Sequence, residues 1–214
     1  MFRNSTRPFY WIGLLLLFSL NVQAQTKPSA LKKIYLQGGM GPTTSSGVVG
    51  GIAVQSVWKN NWTVSASYQD FSLNPNNLPK DYEPDIALFI AMYPENNLVS
   101  FSLSGGKLFE LGRKTWITTE AGISMVKGQE FTFQPQSGGF WIIGSTSNYD
   151  ETSTDKSTVG GLLRADFTWA FASFAGLGVG TFANINSIQS PVGVEFKLVL
   201  GWMNRKPKQQ AANL

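Results

Sequence analysis

Apolar and polar side chains alternate with a period of two along most of this chain. One face of residues 62–69 carries Trp62 and Val64. The opposite face carries Thr63 and Ser65. Successive side chains of a β-strand point to opposite sides of a sheet, so this period predicts strands rather than helices. The same pattern predicts eight strands, over residues 34–41, 48–58, 62–69, 98–109, 115–127, 158–171, 176–188 and 192–202.

The connections between these strands differ in length in a regular way. Tight turns follow the second, fourth and sixth strands, whereas the third and fifth strands are followed by long connections at 73–97 and 128–157. An even number of antiparallel strands therefore has both termini and all tight turns at one end. The apolar stretch 85–93 could itself be a strand, but an added strand would make the number odd, so we interpret it as a β-like or packed part of the first long loop. Residues 137–139, Ser-Gly-Gly, predict the turn of a hairpin that extends the fifth and sixth strands.

Charged residues occur in mid-strand on the polar faces of three strands. A closed barrel would gather them in a narrow interior, where unpaired charge is costly and ion pairs are expected. We interpret them as a structural, salt-bridged cluster inside a barrel, with a gate or ion path as the functional alternative. The residues are Glu120, Arg164, Asp166, Glu195 and Lys197.

Aromatic residues gather at the tight-turn end of the predicted strands. Such a level of rings is typical of the interfacial girdle of a membrane barrel, and closure removes the unsatisfied sheet edges that lipid forbids. The pattern predicts an all-β, eight-stranded antiparallel up-and-down transmembrane β-barrel with two long outer loops. The predicted girdle consists of Trp58, Trp62, Phe109, Trp169, Phe171 and Trp202.

The first 24 residues have the features of a secretory signal. Arg3 and Arg7 precede an apolar run at 9–20, and Val22-Gln23-Ala24 gives a small-residue cleavage site. As a helix that run rises only about 18 Å, too short to cross a bilayer. The predicted organisation is a signal peptide at 1–24, a periplasmic lead at 25–33, a barrel at 34–202 and a polar basic tail at 203–214.

The composition excludes most catalytic and metal-binding classes. The 214 residues include no Cys and no His, so cysteine nucleophiles, zinc–thiolate sites and histidine bases are absent. We predict no catalytic residue, no metal site and no cofactor. The excess of basic over acidic residues comes from the two ends of the chain, since residues 34–202 carry nine basic and thirteen acidic residues, and no basic stripe for nucleic acid is present.

Three features of the chain carry a family resemblance. They are the glycine-rich strands, the long outer loops and the closing strand at 192–202, Val-Gly-Val-Glu-Phe-Lys-Leu-Val-Leu-Gly-Trp. The chain resembles the small eight-stranded outer-membrane barrels of the OmpA/OmpX type, in the divergent form found in Bacteroidetes-like bacteria. The resemblance implies a monomer in outer-membrane lipid with both termini periplasmic. Such barrels often end in an aromatic residue, whereas twelve residues follow Trp202 here. The enzymes of similar architecture, the lipid A palmitoyltransferase and deacylase families, use a histidine that this chain lacks.

Three functions remain open from the sequence. The first is a non-enzymatic outer-membrane barrel with a structural, adhesive or partner-binding role, its outer loops contacting a surface protein or polysaccharide. The second is a secreted soluble β-barrel that binds a small apolar ligand in its interior. The third is a narrow channel for ions or solutes.

Overall fold

The computed structural model describes residues 31–203 except 45, 76, 84, 88–89, 93 and 136–147. The predicted signal peptide, most of the predicted lead, the tail beyond Met203 and the predicted turn at 137–139 lie outside the described residues. From Lys32 onward the described residues form one compact unit.

Eight long antiparallel strands close into a barrel, which confirms the predicted all-β architecture. Each strand pairs with its neighbours along the chain, and the first strand meets the last through a register that starts at Ile34 and Trp202. The barrel strands are β1 (Leu31–Pro42), β2 (Val48–Trp58), β3 (Trp62–Leu73), β6 (Asn96–Glu110), β7 (Thr115–Pro135), β8 (Tyr149–Trp169), β9 (Ala175–Ile185) and β10 (Val192–Trp202).

The long loop between β3 and β6 contains its own small sheet. Strands β4 (Asp85–Ala87) and β5 (Ile90–Met92) pair antiparallel with each other and with no barrel strand among the described residues. The parity of the barrel is therefore kept, and the β-like interpretation of 85–93 agrees with this arrangement.

Two strands end earlier than the alternation predicts. β8 ends at Trp169 rather than at residue 171, because the Ala172 amide donates to the Ala175 carbonyl and closes a turn. Phe171 therefore lies in a turn. β9 ends at Ile185 rather than at residue 188, because the Asn186 side chain accepts hydrogen bonds from the Ile188 and Gln189 amides.

Most of the connection predicted at 128–157 is strand. β7 and β8 stay paired as far as Pro135 and Tyr149, whereas β7 leaves β6 after Gly128 and β8 meets β9 only from Gly161 onward. The two strands thus project beyond the barrel as a two-stranded hairpin, hereafter the outer hairpin. Ser, Thr and charged residues are frequent in its β8 strand, where residues 150–157 are all exposed.

At its mid-height the barrel has polar side chains inside and apolar side chains outside. Glu195 and Lys197 on β10 are 3% and 6% exposed, whereas their neighbour Phe196 is 63% exposed. The same inversion holds on β7, where Ile123 is 65% exposed beside buried Ser124. Among the described residues, no helix is long and apolar enough to cross a membrane.

Candidate functional site

The barrel interior contains a connected group of charged side chains at mid-height. Lys197 Nζ lies 2.5 Å from Asp166 Oδ1 and 3.1 Å from Glu195 Oε2. Arg164 Nη2 lies 3.9 Å from the same Glu195 oxygen. Gln69 Nε2 donates to Glu195 Oε1 at 2.9 Å. Four of the predicted interior residues therefore meet in one network, at whose edge the buried Arg164 Nε has no hydrogen-bond partner.

Glu120, the fifth predicted residue, is held differently. It is the cross-strand neighbour of Arg164, yet among the described residues it forms no ion pair within 4 Å. Its carboxylate accepts hydrogen bonds from Gln55 Nε2 at 2.5 Å, Ser65 Oγ at 2.6 Å and Ser104 Oγ at 2.9 Å. Neutral donors from three other strands thus satisfy the buried charge.

Gly180 makes room for the closest ion pair of the interior network, between Lys197 and Asp166. A Cβ atom at this position would lie 2.0 Å from Asp166 Oδ1 and 2.9 Å from Lys197 Nζ. Gly180 is the cross-strand partner of both Asp166 and Glu195, so any side chain here would enter the charged network. The glycine-rich sequence of β9 is therefore part of the site.

Apolar layers close the lumen above and below the charged network. The layer at the tight-turn end includes Trp116, over whose ring Lys33 Nζ lies at 3.7 Å from the centroid. The layer at the outer end includes Phe71 and Phe182, with ring centroids 5.8 Å apart, and Ile188 of the β9–β10 turn packs against it. A cavity of about 10 Å³ beside Arg164 is large enough for a single water molecule.

The exterior is a continuous band of apolar side chains. Aliphatic and aromatic residues of every barrel strand are exposed there, including Ile52, Val64, Phe101, Leu163 and Val179. The residues predicted as a girdle are exposed at the tight-turn end of this band, and Trp169 and Phe171 pack edge to face at 6.1 Å. Those residues are Trp58, Trp62, Phe109, Trp169, Phe171 and Trp202.

The first long outer loop packs against the outer hairpin through two tyrosines. Tyr82 Oη of the loop donates to Glu151 Oε1 of the hairpin at 2.5 Å, and Tyr149 Oη of the hairpin donates to Asp81 Oδ1 of the loop at 2.9 Å. The hydrogen bond to Asp81 raises the pKa of the Tyr149 phenol, because it stabilises the protonated form. The Phe133 ring packs edge to face with the Tyr82 ring, with their centroids 5.7 Å apart.

The alternation identified the inward faces but not the partners across the lumen. It placed Ser65 and Gln69 on a polar face, without indicating that they bind Glu120 and Glu195. The Lys33–Trp116 contact and the tyrosine pair of the outer loop were also missed. The hydrogen bonds of Ser65 and Gln69 could have been expected from the sequence, because hydroxyl and amide residues occur on the polar faces at the same level as the mid-strand charges. Among the described residues, no group of acidic side chains is arranged to hold a metal ion.

This geometry defines the class of fold: a closed eight-stranded barrel with an apolar exterior and a charged interior at mid-height. No protein-family model matches the sequence, and no curated protein matches it. The solved structure of Neisserial surface protein A (NspA) is similar, with a TM-score of 0.51 and 11% identity over 81% of this chain and 98% of that one.

Two further solved structures resemble the chain. The N-terminal β-barrel domain of Pseudomonas aeruginosa OprF has a TM-score of 0.50 and 8% identity, over 81% of this chain and 100% of that one. Ail, the attachment invasion locus protein of Yersinia pestis, has a TM-score of 0.49 and 9% identity, over 81% of this chain and 99% of that one. At such identities the likeness to NspA and OprF concerns the fold alone.

Proposed function

We propose that this protein is a non-enzymatic β-barrel of the bacterial outer membrane, of the OmpA/OmpX-like type in its Bacteroidetes-like form. Residues 1–24 act as a cleaved signal peptide, and both termini face the periplasm. The observation that carries the proposal is the inverted polarity, with Phe101 and Phe196 exposed while Glu120 and Arg164 are buried. In water, so large an apolar exterior would be unfavourable, whereas acyl chains cover it at no such cost.

Fractionation and gel mobility test the membrane location. We expect the protein in the outer-membrane fraction, with a folded form that migrates differently from the boiled form in detergent gels. Recovery in the periplasmic extract without detergent would support the soluble alternative instead. That alternative also requires an apolar interior for its ligand, and the mid-height of this interior is charged.

Proteolysis of intact cells tests the orientation. Trypsin added outside should cleave after Lys80 in the first long outer loop. The tight turns that contain Lys59 and Arg113 should be cut only after the outer membrane is permeabilised. Cleavage at the tight turns in intact cells would place the termini outside and overturn the proposed topology.

The role we propose is binding of a surface partner, a protein or a polysaccharide, through the outer hairpin. Among the described residues, no strand pairs with β8 on its β9 side before Gly161, so an edge that begins at Tyr149 is open. An open edge can accept a further strand, and its charged side chains keep it from aggregating. Asp150, Glu151 and Asp155 lie along it and are exposed.

A variant with the outer hairpin shortened between Lys127 and Ser157 tests this role. We expect it to fold and to keep its gel mobility shift, while cells that display it lose adhesion to protein- or polysaccharide-coated surfaces. Equal adhesion by the shortened and complete proteins would contradict the partner-binding role.

The channel alternative is disfavoured by the two apolar layers, which lie in the lumen on either side of the charged network. Planar-bilayer recordings test it directly. Conductance that changes when Glu120 or Arg164 is neutralised would favour the channel over the closed barrel.

A further inference from the structure

The two ends of the barrel carry opposite charge. At the outer end, acidic residues outnumber basic ones among the exposed positions. The exposed acidic residues there are Asp70, Asp81, Glu83, Glu95, Asp150, Glu151 and Asp155, and the exposed basic ones are Lys80, Lys127 and Lys156. At the tight-turn end the balance is reversed. The exposed basic residues there are Lys59, Lys107, Arg113 and Lys114, and we call these four the basic sector.

The basic sector occupies one side of the barrel. Lys59 lies in the β2–β3 turn, Lys107 on β6, and Arg113 and Lys114 in the β6–β7 turn, so all four belong to neighbouring strands. The β8–β9 turn at 170–174, Ala-Phe-Ala-Ser-Phe, has no charge. The exposed cations of the described turns at this end therefore lie on one side of the barrel.

Lys107 lies on the outer surface among the girdle residues. It faces outward between exposed Leu103 and exposed Phe109, and its cross-strand neighbours are Trp62 on β3 and Thr119 on β7. β6 ends at Glu110, three residues farther on, so Lys107 lies about 8 Å inside the strand end at the usual rise and tilt. Its long side chain therefore reaches the headgroup level from the edge of the acyl region.

Three cations of this sector are available to an external anion. Among the described residues, Lys107, Arg113 and Lys114 form no salt bridge, whereas nearby Glu110 is already paired with Lys32 at 2.7 Å and Lys33 at 3.8 Å. A positive charge on the lipid-facing surface is unfavourable unless a headgroup satisfies it. The neighbouring Trp62 ring is suited to the glycerol and ester level of a bilayer.

We propose that the basic sector is a binding site for the phosphate of an anionic glycerophospholipid in the leaflet at the tight-turn end. Lys107 and Trp62 hold the lipid at the barrel wall, and Arg113 and Lys114 extend the positive potential around its headgroup. The site rests on the proposed membrane location, and it adds a preferred annular lipid on one side of the barrel.

Spin-labelled lipids test this proposal in vesicles of phosphatidylcholine. The association of labelled phosphatidylglycerol with the protein is measured relative to labelled phosphatidylcholine. We expect the wild type to prefer phosphatidylglycerol, and Lys107→Gln to reduce this preference about fivefold, the effect of one interfacial lysine. Arg113→Gln with Lys114→Gln should reduce it further, and high salt should weaken it in the wild type.

Lys127→Gln is the matched control, because Lys127 is exposed on β7 at the other end of the barrel. An equal loss of preference in Lys127→Gln, or no preference in the wild type, would overturn the proposal. A preference for labelled lipid A, lost in the same Lys107 variant, would overturn the assignment to a glycerophospholipid. Gel mobility after insertion into pure phosphatidylcholine distinguishes failure of the lipid site from failure of the proposed membrane location. A protein that does not insert there would contradict the membrane barrel itself.

Discussion

Tyr82 and Tyr149 stack with their ring centroids 6.3 Å apart, and each donates a hydrogen bond to a carboxylate on the other's segment. The pair joins the first long outer loop to the outer hairpin in both directions. Asn148 reinforces the junction, because its side chain donates to the Asp81 carbonyl and accepts from the Glu83 amide. The loop is thereby fixed on the hairpin, while the β8 edge that faces β9 stays open.

Replacing both tyrosines by phenylalanine should release the loop. The rings can still stack, but both hydrogen bonds to carboxylates are lost, so the loop should open more often. We expect trypsin to cleave after Lys80 about three- to tenfold faster in the Tyr82→Phe, Tyr149→Phe variant. Tyr68→Phe, on the barrel exterior, is the control and should keep the wild-type rate. Equal rates in all three proteins would show that the tyrosines do not hold the loop.

The Tyr149 hydrogen bond should depend on pH in a defined direction. Its pKa is raised in the folded protein by the bond to Asp81, so this stabilisation is complete below the pKa of an unfolded tyrosine, about 10, and is lost as pH rises through the folded pKa. The difference in phenolate absorbance between wild type and Tyr149→Phe reports this group. Asp81→Asn should shift its titration to lower pH, and an unchanged titration would contradict the assignment.

Gly180 should not tolerate a methyl group. The Gly180→Ala Cβ would overlap Asp166 Oδ1, so the ion pair to Lys197 must shift or break. We expect the free energy of unfolding in detergent or lipid to fall by about 1–3 kcal/mol, as in other overpacked interiors. Gly50→Ala is the control, since nothing lies within 4 Å of a Cβ there. A similar stability of the two variants would mean that Gly180 does not define the space around the pair.

Removing Lys197 should be more damaging than removing an exposed lysine. Lys197→Met leaves Asp166 without a cation within 4 Å among the described residues, and it takes one partner from Glu195. Breaking a buried pair from one side costs about 3–5 kcal/mol of unfolding free energy. Lys127→Met, at an exposed position, should change it by less than about 0.5 kcal/mol. If Lys197→Met unfolds like Lys127→Met, the interior network contributes nothing to stability.

The architecture could be predicted from the sequence because the two faces of each barrel strand differ in polarity. The period of two placed Glu120 and Arg164 on the same side of neighbouring strands, and the structure pairs these residues in register. It could not indicate that Glu120 binds Ser104 and Gln55 instead of Arg164, because contacts across a lumen depend on the stagger of all eight strands. The alternation also could not predict where the strands end. β8 ends where the Ala172 amide forms a turn hydrogen bond. The strands of the outer hairpin continue beyond the barrel, where no apolar face is required.

Spin labels on single cysteines would test most directly whether the exposed apolar face contacts lipid. The chain has no Cys of its own, so Phe101→Cys, Leu103→Cys and Thr152→Cys can each be labelled at one place. Phe101 and Leu103 face outward on β6, and Thr152 is exposed on the outer hairpin. In vesicles, oxygen should enhance the relaxation of the spin labels at 101 and 103, because oxygen dissolves in the acyl region, whereas a water-soluble nickel chelate should have little effect on them. The nickel chelate should enhance the relaxation of the label at 152. Labels at 101 and 103 that respond to nickel as strongly as the one at 152 would contradict the membrane barrel.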